Sequence, residues 1–251
     1  MNPLGVFFTC FNELEATRIS LNYLKMVYPQ IKVYLVHESD MDFGFLEHEI
    51  SLLKTNRVED TQSDVLKLEF HDYQQPHQQA AIKKALLAVI ERLTKAIPYL
   101  DSEYILMMDP DALVRGPLTI PPNVGLLGCR GNVNPGALAK LNETLKKHGG
   151  IEITAWGATP AIFNVDRFLK AKDILLNTEG LVDEICNSFY WAFAHDILLA
   201  SLFSLIGEEE TMNPDIVQCE WNPNWHQTNC PLLHQYKKYY PKRKSKYHVN
   251  Q

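Results

Sequence analysis

An apolar run in the middle of this chain, Tyr104-Ile105-Leu106-Met107-Met108, stops at Asp109-Pro110-Asp111. A continuous run of this kind reads as a strand buried on both faces, and such strands belong to α/β sheets covered by helices on either side. The stop is as informative as the run. Open α/β sheets bind their ligands in the crevice outside the carboxyl ends of the strands, and two carboxylates one residue apart at that place are hard oxygen donors for a divalent cation. A cation there is most useful where a diphosphate must be neutralised. Ala112-Leu113-Val114 then returns the chain to apolar packing.

Around this strand, strand and helix patterns alternate. Val6-Phe7-Phe8-Thr9-Cys10 reads as a first strand, and Asn12 with Glu15 three residues later reads as a capping box. The helix it opens has Leu14, Leu21 and Leu24 among its apolar positions and closes at Pro29. Ile31 to Val36 is a second strand, with His37-Glu38-Ser39-Asp40 at its end. From Gln78 to Ile97, the positions Ile82, Leu86, Val89, Ile90, Leu93 and Ile97 keep the 3.6-residue period of an amphipathic helix, which Pro98 ends. Lys83 and Lys84 fall off that stripe, either as a wet helix face or as cations beside the acidic crevice, since this helix leads directly into the acidic strand.

The second half has another texture. Val124 to Leu127 is a strand, and Gly128 to Gly136 is a loop rich in Gly, Asn and Pro. Ala155-Trp156-Gly157-Ala158-Thr159-Pro160 is turn-rich, Ala161 to Val165 is a short strand, and Asp166 begins a helix. Phe189 to Ile206 is an apolar helix carrying His195 and Asp196, with Gly207 as its stop. No repeat or low-complexity linker divides the halves.

Composition narrows the function classes. A chain of 251 residues, 46% hydrophobic and 22% charged, has material for one large α/β domain. No apolar stretch of about 18 residues occurs, and the N-terminus enters a strand without a basic region or cleavage site, so a soluble, cytoplasmic protein is expected. Five cysteines fit free thiols in a reducing compartment better than a disulfide framework. The net charge of −6 argues against nucleic acid as a partner. Positive charge gathers in the tail, at Lys237, Lys238, Lys242, Arg243, Lys244 and Lys246. That tail is a solvated terminus, a peripheral contact for an anionic membrane surface, or, at Lys237 and Lys238, a contact for substrate phosphates.

A β-α-β start without a glycine fingerprint, an amphipathic helix, a strand ending in Asp-x-Asp, a Trp-Gly loop and a late carboxylate-bearing helix together resemble a glycosyltransferase of the GT-A fold. The resemblance runs from Val6 to about Tyr240. The acidic motif about 100 residues after the first strand, and a late His-x-x-Lys, look most like small soluble members from bacteria or large viruses, without a Golgi anchor. Such a resemblance implies an α/β fold with a Rossmann-like, mixed, mostly parallel sheet flanked by helices. Residues 1–251 would form one catalytic domain, with 1–115 as the nucleotide-binding half, 116–240 as the acceptor-binding half and 241–251 as the basic tail.

It also implies an activity and roles. A hexosyl- or pentosyltransferase of this kind moves a sugar from a nucleoside-diphosphate donor, with UDP the commoner nucleotide, to a hydroxyl of a glycan, glycoprotein or glycolipid. Thr9, Cys10 and Phe11, with Asp40 or its neighbours Glu38 and Ser39, would flank the nucleoside. Asp109 would face ribose or metal, Asp111 would be the more direct ligand of Mn2+ or Mg2+, and His234 would complete the metal shell. Lys237 or Lys238 would touch the β-phosphate, with Lys83 a further cation toward the donor. Asp196 would take the proton of the acceptor hydroxyl, its pKa raised by apolar surroundings and lowered by a nearby helix N-terminus. Trp156, beside Gly157, is suited to stack on a sugar ring, and His195 would adjoin the acceptor.

Each role has a plain competitor. Asp40-Met41-Asp42 is a second acidic copy, although it follows a strand more weakly. Asp109 before Pro110 also suits a turn, Asp196 a buried structural carboxylate and Trp156 a core residue. Cys219, His226, Cys230 and His234 are residue types that bind zinc, at a spacing that fits no common zinc pattern. At the level of function, a sugar-nucleotide-forming nucleotidyltransferase is disfavoured because Thr9-Cys10-Phe11-Asn12-Glu13 contains no glycine. A non-catalytic nucleotide- or sugar-binding protein of the same fold remains open.

Overall fold

The computed structural model describes residues 2–10, 13–37, 52–55, 76–130, 135–154, 157–188, 194–213, 216–219 and 229–234. In chain order its strands are β1 (Asn2–Cys10), β2 (Val33–His37), β3 (Leu52–Thr55), β4 (Ser102–Met108), β5 (Leu113–Val114), β6 (Leu126–Arg130), β7 (Gly157–Asn164), β8 (Thr211–Met212), β9 (Val217–Cys219) and β10 (Leu232–His234). The main sheet has seven strands in the order β3-β2-β1-β4-β7-β6-β8, and a small sheet has the order β5-β10-β9. Within the main sheet β7 alone runs antiparallel to its neighbours. The mixed, mostly parallel sheet expected from the sequence is therefore present.

Side-chain alternation builds two cores from one sheet. Phe7, Ile105, Met107 and Phe163 face a layer of five helices: α2 (Pro76–Leu100), α3 (Pro135–Lys147), α4 (Val165–Asn177), α5 (Leu181–Ser188) and α6 (Ala194–Leu205). Phe8, Leu106, Met108 and Ile162 face the other way, onto α1 (Leu14–Val27) and the small sheet. Ile105 to Met108 are all buried, as a strand covered on both faces requires. Among the described residues no helix is long and apolar enough to cross a membrane. Cys10, Cys186 and Cys230 are buried thiols that form no disulfide among the described residues, and burial pushes the Cys186 thiol up to about 12.

Several elements differ from the sequence reading. The long helix does not stop at Pro98. A proline in the last turn forgoes only the bond to the Thr94 carbonyl, and the helix continues to Leu100, where the Asp101 N–H closes onto the Ile97 carbonyl at 3.1 Å with Asp101 in the left-handed region (φ 47). Asn12 lies outside the described residues; Glu13 takes the N-cap place of α1 without a side-chain cap, and Glu15 instead approaches Arg18 at 3.8 Å. β3, α3 and α5 had no counterpart in the sequence reading, and β7 starts earlier than the expected strand at Ala161. The stop at Gly207 is as expected: φ is 75, and bonds from Gly207 to Ser204 and from Glu208 to Phe203 close the end of α6.

β1 passes so close to the turn between α2 and β4 that a side chain at Gly5 has no room. A Cβ there would lie 2.7 Å from Ser102 Oγ and 2.9 Å from Leu100 Cβ. The serine hydroxyl can rotate away, but a Cβ cannot. Gly5→Ala is expected to cost about 1–3 kcal/mol in a urea melt through overpacking, and an unchanged midpoint would show that β1 has slack at this point.

Candidate functional site

The chain reverses immediately after β4. The Ala112 N–H donates to the Asp109 carbonyl at 3.1 Å, and the Asp111 N–H donates to Asp109 Oδ1 at 2.9 Å. Pro110 stands second in this turn, where its fixed φ is favoured. Asp109 is thus both the turn former of the plain reading and an acid with its other oxygen, Oδ2, directed elsewhere.

The turn feeds β5, which pairs antiparallel with β10 in the register Leu113↔Leu233 and Val114↔Leu232. One step further along this ladder, Ala112 stands level with His234. Alternation along β10 puts Leu232 in the core beneath the main sheet, while Leu233 packs outward with Leu113, Cys230 and Ile19 of α1. His234 therefore faces inward with Leu232. Its Nε2 comes within 3.7 Å of Asp109 Oδ2, the imidazole 7% and the carboxylate 27% exposed.

Further bonds fix this meeting of residues distant in sequence. The Arg115 N–H donates to the Pro231 carbonyl at 2.7 Å, and Arg115 Nη2 donates to the Cys230 carbonyl at 3.2 Å. From the other side, Ser20 Oγ of α1 donates to the Ala112 carbonyl at 2.5 Å. Cys230 packs with Leu233, on the side of the strand opposite His234, and its Sγ contacts the carbonyls of Ile216 and Leu232. Cys230 and His234 therefore do not converge on one ion as a zinc set would need.

The separation of Asp109 and His234 has a chemical reading. At 3.7 Å the pair is too far apart for a good hydrogen bond. Two donors that share one cation at ligand distances of about 2.0–2.2 Å stand roughly 3 Å apart at right angles and more at wider angles, so the pair needs little movement to share one. Among the described residues no third His, Cys, Asp or Glu joins them in a metal-holding cluster. Asp111 is half-buried beside the turn.

Topology places the pair at the expected crevice. β1 leads through α1 to β2 on one side, whereas the neighbour of β4 on the other side is β7, so the strand order changes direction between β1 and β4. The carboxyl ends of strands at such a switch point border the ligand crevice of an open α/β sheet. Phe8 pairs with Met108, so Thr9 and Asp109 are the next residues outward on these two strands. β7 and β6 continue further: Met107 pairs with Ala161, yet the β6–β7 ladder runs on to Arg130 and Gly157. They make a step in the sheet edge beside Asp109.

Comparison with known proteins matches this architecture. The chain superposes on the galactosyltransferase LgtC in complex with donor and acceptor sugar analogues, and on an active-site mutant of LgtC, with a TM-score of 0.51 over 92% of this chain and 86% of that one. The chain has the GT-A fold. Identity to LgtC is 12%, so the likeness is one of fold. The bifunctional glycosyltransferase WbbM is also similar, at 11% identity and a TM-score of 0.48, over 93% of this chain and 45% of its own. No protein-family model and no curated protein sequence matches the chain.

On this GT-A frame the other expected site residues separate into groups. Thr9 is half-buried at the end of β1, and Cys10 is buried with its thiol 3.6 Å from the Val36 carbonyl. Lys83 sits on α2 in an ion pair with Asp183 of α5 at 2.6 Å, which ties the two helices together. Gly157 opens β7 opposite Arg130. Phe11, Asp40, Trp156 and Lys237 lie outside the described residues, as does the rival acidic copy at Asp40 and Asp42.

His195 and Asp196 stand in the first turn of α6, with side chains outside the described residues. The far end of α6 can be located. Glu208, just past it, pairs with Arg167 at 2.8 Å, and that guanidinium also donates to the Asn123 carbonyl before β6. The end of α6 is therefore at the edge where β6 enters the sheet.

Ser20 and Arg115 escaped the sequence reading. Thr17, Ser20, Leu21 and Leu24 are all buried on α1. Small hydroxyls at i and i+3 on an otherwise apolar stripe were the available signal that this helix face meets polar backbone.

Proposed function

We propose that this chain is a metal-assisted glycosyltransferase that moves a sugar from a nucleoside-diphosphate donor, with UDP the nucleotide, to a hydroxyl of a glycan or glycoconjugate. The supporting observation is the Asp109–His234 pair, 3.7 Å apart, at the switch point of a GT-A fold. Asp109, His234 and Asp111 would hold Mn2+ or Mg2+. Two or three protein donors suit an ion that also takes substrate phosphates and water as ligands. When bound, the ion supplies positive charge against the diphosphate that departs.

The remaining roles fall to the chain itself. Thr9 with Phe11 and Asp40 flank the nucleoside at the ends of β1 and β2, and Lys237 adds positive charge to the phosphate side. Lys83, tied to Asp183, is left out of this role. Asp196, at the start of α6, accepts the proton of the attacking hydroxyl, and His195, Trp156 and Gly157 line the acceptor side. The attacking oxygen forms a bond to the anomeric carbon as the bond from that carbon to the phosphate oxygen breaks.

The test is a panel of nucleotide sugars incubated with the protein and Mn2+, with nucleoside diphosphate measured with and without EDTA. Slow metal-dependent release without acceptor, rising when a suitable glycan is added, is expected. Pyrophosphate made from nucleoside triphosphate and sugar phosphate would replace this reading with a nucleotidyltransferase. Binding of nucleotide sugars without turnover across many acceptors would replace it with a binding protein.

A further inference from the structure

We infer that Ser20 is a positioning residue for the acidic turn, setting through its hydrogen bond to Ala112 the separation of Asp109 and His234 on which cation affinity depends. The inference rests on the metal-assisted reading above and deepens it. Serine inside a helix ordinarily bonds back to a carbonyl of its own preceding turn. Ser20, in the middle of α1 and fully buried, instead donates to a carbonyl 92 residues away.

The carbonyl it reaches has a special place. Ala112 is the last residue of the turn that Asp109 begins: its N–H returns to the Asp109 carbonyl, and its C=O accepts from Ser20. The peptide groups on both sides of Ala112 are thereby fixed, one by the turn and one by the helix. One step beyond the β5–β10 ladder, the same register brings Ala112 level with His234. Ser20 therefore holds the point at which the segment carrying Asp109 meets the segment carrying His234. Without that bond the last peptide of the turn loses its tie to α1, and the distance between the two donors can drift.

α1 also contains its own control. Thr17, one turn earlier and equally buried, has a hydroxyl with no hydrogen-bond partner among the described residues. Thr17→Val removes a hydroxyl from the same helix at constant shape and leaves the acidic turn untouched, whereas Ser20→Ala removes the bond.

The probe is Mn2+ alone, titrated into wild type, Ser20→Ala and Thr17→Val, with free ion followed by electron paramagnetic resonance and folding followed by circular dichroism. Groups that orient metal ligands from outside typically contribute about 10–100-fold to affinity, so Ser20→Ala is expected to weaken Mn2+ binding by about tenfold while Thr17→Val matches wild type. In the glycosyl-transfer assay the same variant should need more Mn2+ for half-maximal rate and approach the wild-type rate at saturation. Ser20→Cys, which keeps a weak donor of similar size, should fall between the two and serves if the alanine variant does not fold.

Mn2+ affinity in folded Ser20→Ala or Ser20→Cys equal to wild type would overturn the inference. So would an equal loss in Thr17→Val, which would point to packing of α1 alone. If wild type itself fails to bind Mn2+, the metal-assisted reading fails first, and the two failures are thereby distinguished.

Discussion

Asp109→Asn should abolish metal-dependent release of nucleoside diphosphate while leaving the protein folded. The substitution is chosen because the turn needs an oxygen at Oδ1, where the Asp111 N–H donates at 2.9 Å, and an asparagine amide oxygen accepts that bond equally well. At Oδ2 the change replaces an anion facing His234 Nε2 with a neutral NH2 group. The polypeptide thus keeps its turn and its entry into β5, and loses the charge at Oδ2 that a cation would use. Removing one electrostatic contributor to a transition state typically lowers kcat by about 100–1,000-fold, and a loss of at least about 100-fold is expected here. The thermal midpoint should move little, since a partly exposed carboxylate 3.7 Å from an imidazole contributes little to stability. EDTA should then have no further effect on the variant. A variant that turns over as fast as wild type in Mn2+ would remove Asp109 from the site and with it the proposal for this edge of the sheet.

What the sequence made legible follows how local each signal was. β4 and its acids were plain because burial on both faces writes itself as an uninterrupted apolar run, with Ile105 to Met108 buried and Asp109 just beyond. The long helix was equally plain from its stripe, apart from its end, where Pro98 replaced only one carbonyl bond in a turn that was closing anyway. The short elements were another matter. β5 and β10 are two and three residues long, and neither has a period to recognise; each is a strand only because the other lies against it. His234 had suggested itself by resemblance, but its approach to Asp109 depends on that pairing across more than a hundred residues. α3 was hidden by the Gly, Asn and Pro before it, although proline at a first helical position and the spacing of Leu138, Leu141 and Leu145 were available cues. The candidate site was therefore half visible: its acidic half is local chemistry, and its histidine half is tertiary structure.

Phe163→Ala provides the opposite result, a large loss of stability with the Asp109–His234 pair left intact. Phe163 lies on β7, the antiparallel strand, in register with Ile105 of β4 on one side and Leu126 of β6 on the other. Its ring is wholly buried and packs 5.1 Å from that of Phe168 on α4, at an interplanar angle of 39°. Truncation would leave a cavity between the sheet and the helix layer, where β4 and β6 cannot close inward without breaking their ladders to β7. Phenylalanine deletions in cores of this kind cost about 3–5 kcal/mol, and the tilted ring pair adds to the loss. For a domain of this length each kcal/mol lowers the midpoint by about 2–4 °C, so a fall of roughly 10 °C is expected. The acidic turn and His234 belong to the other face of the sheet, with α1 and β10. Measured well below its midpoint, the variant should therefore bind Mn2+ with close to wild-type affinity, whereas turnover depends also on the proposed base, Asp196 of α6, in the helix layer that Phe163 faces. A midpoint unchanged from wild type would mean that the helix layer does not depend on this ring. Loss of Mn2+ affinity in the cold would mean that the two faces of the sheet are coupled, and that the helix layer helps to set the distance between Asp109 and His234.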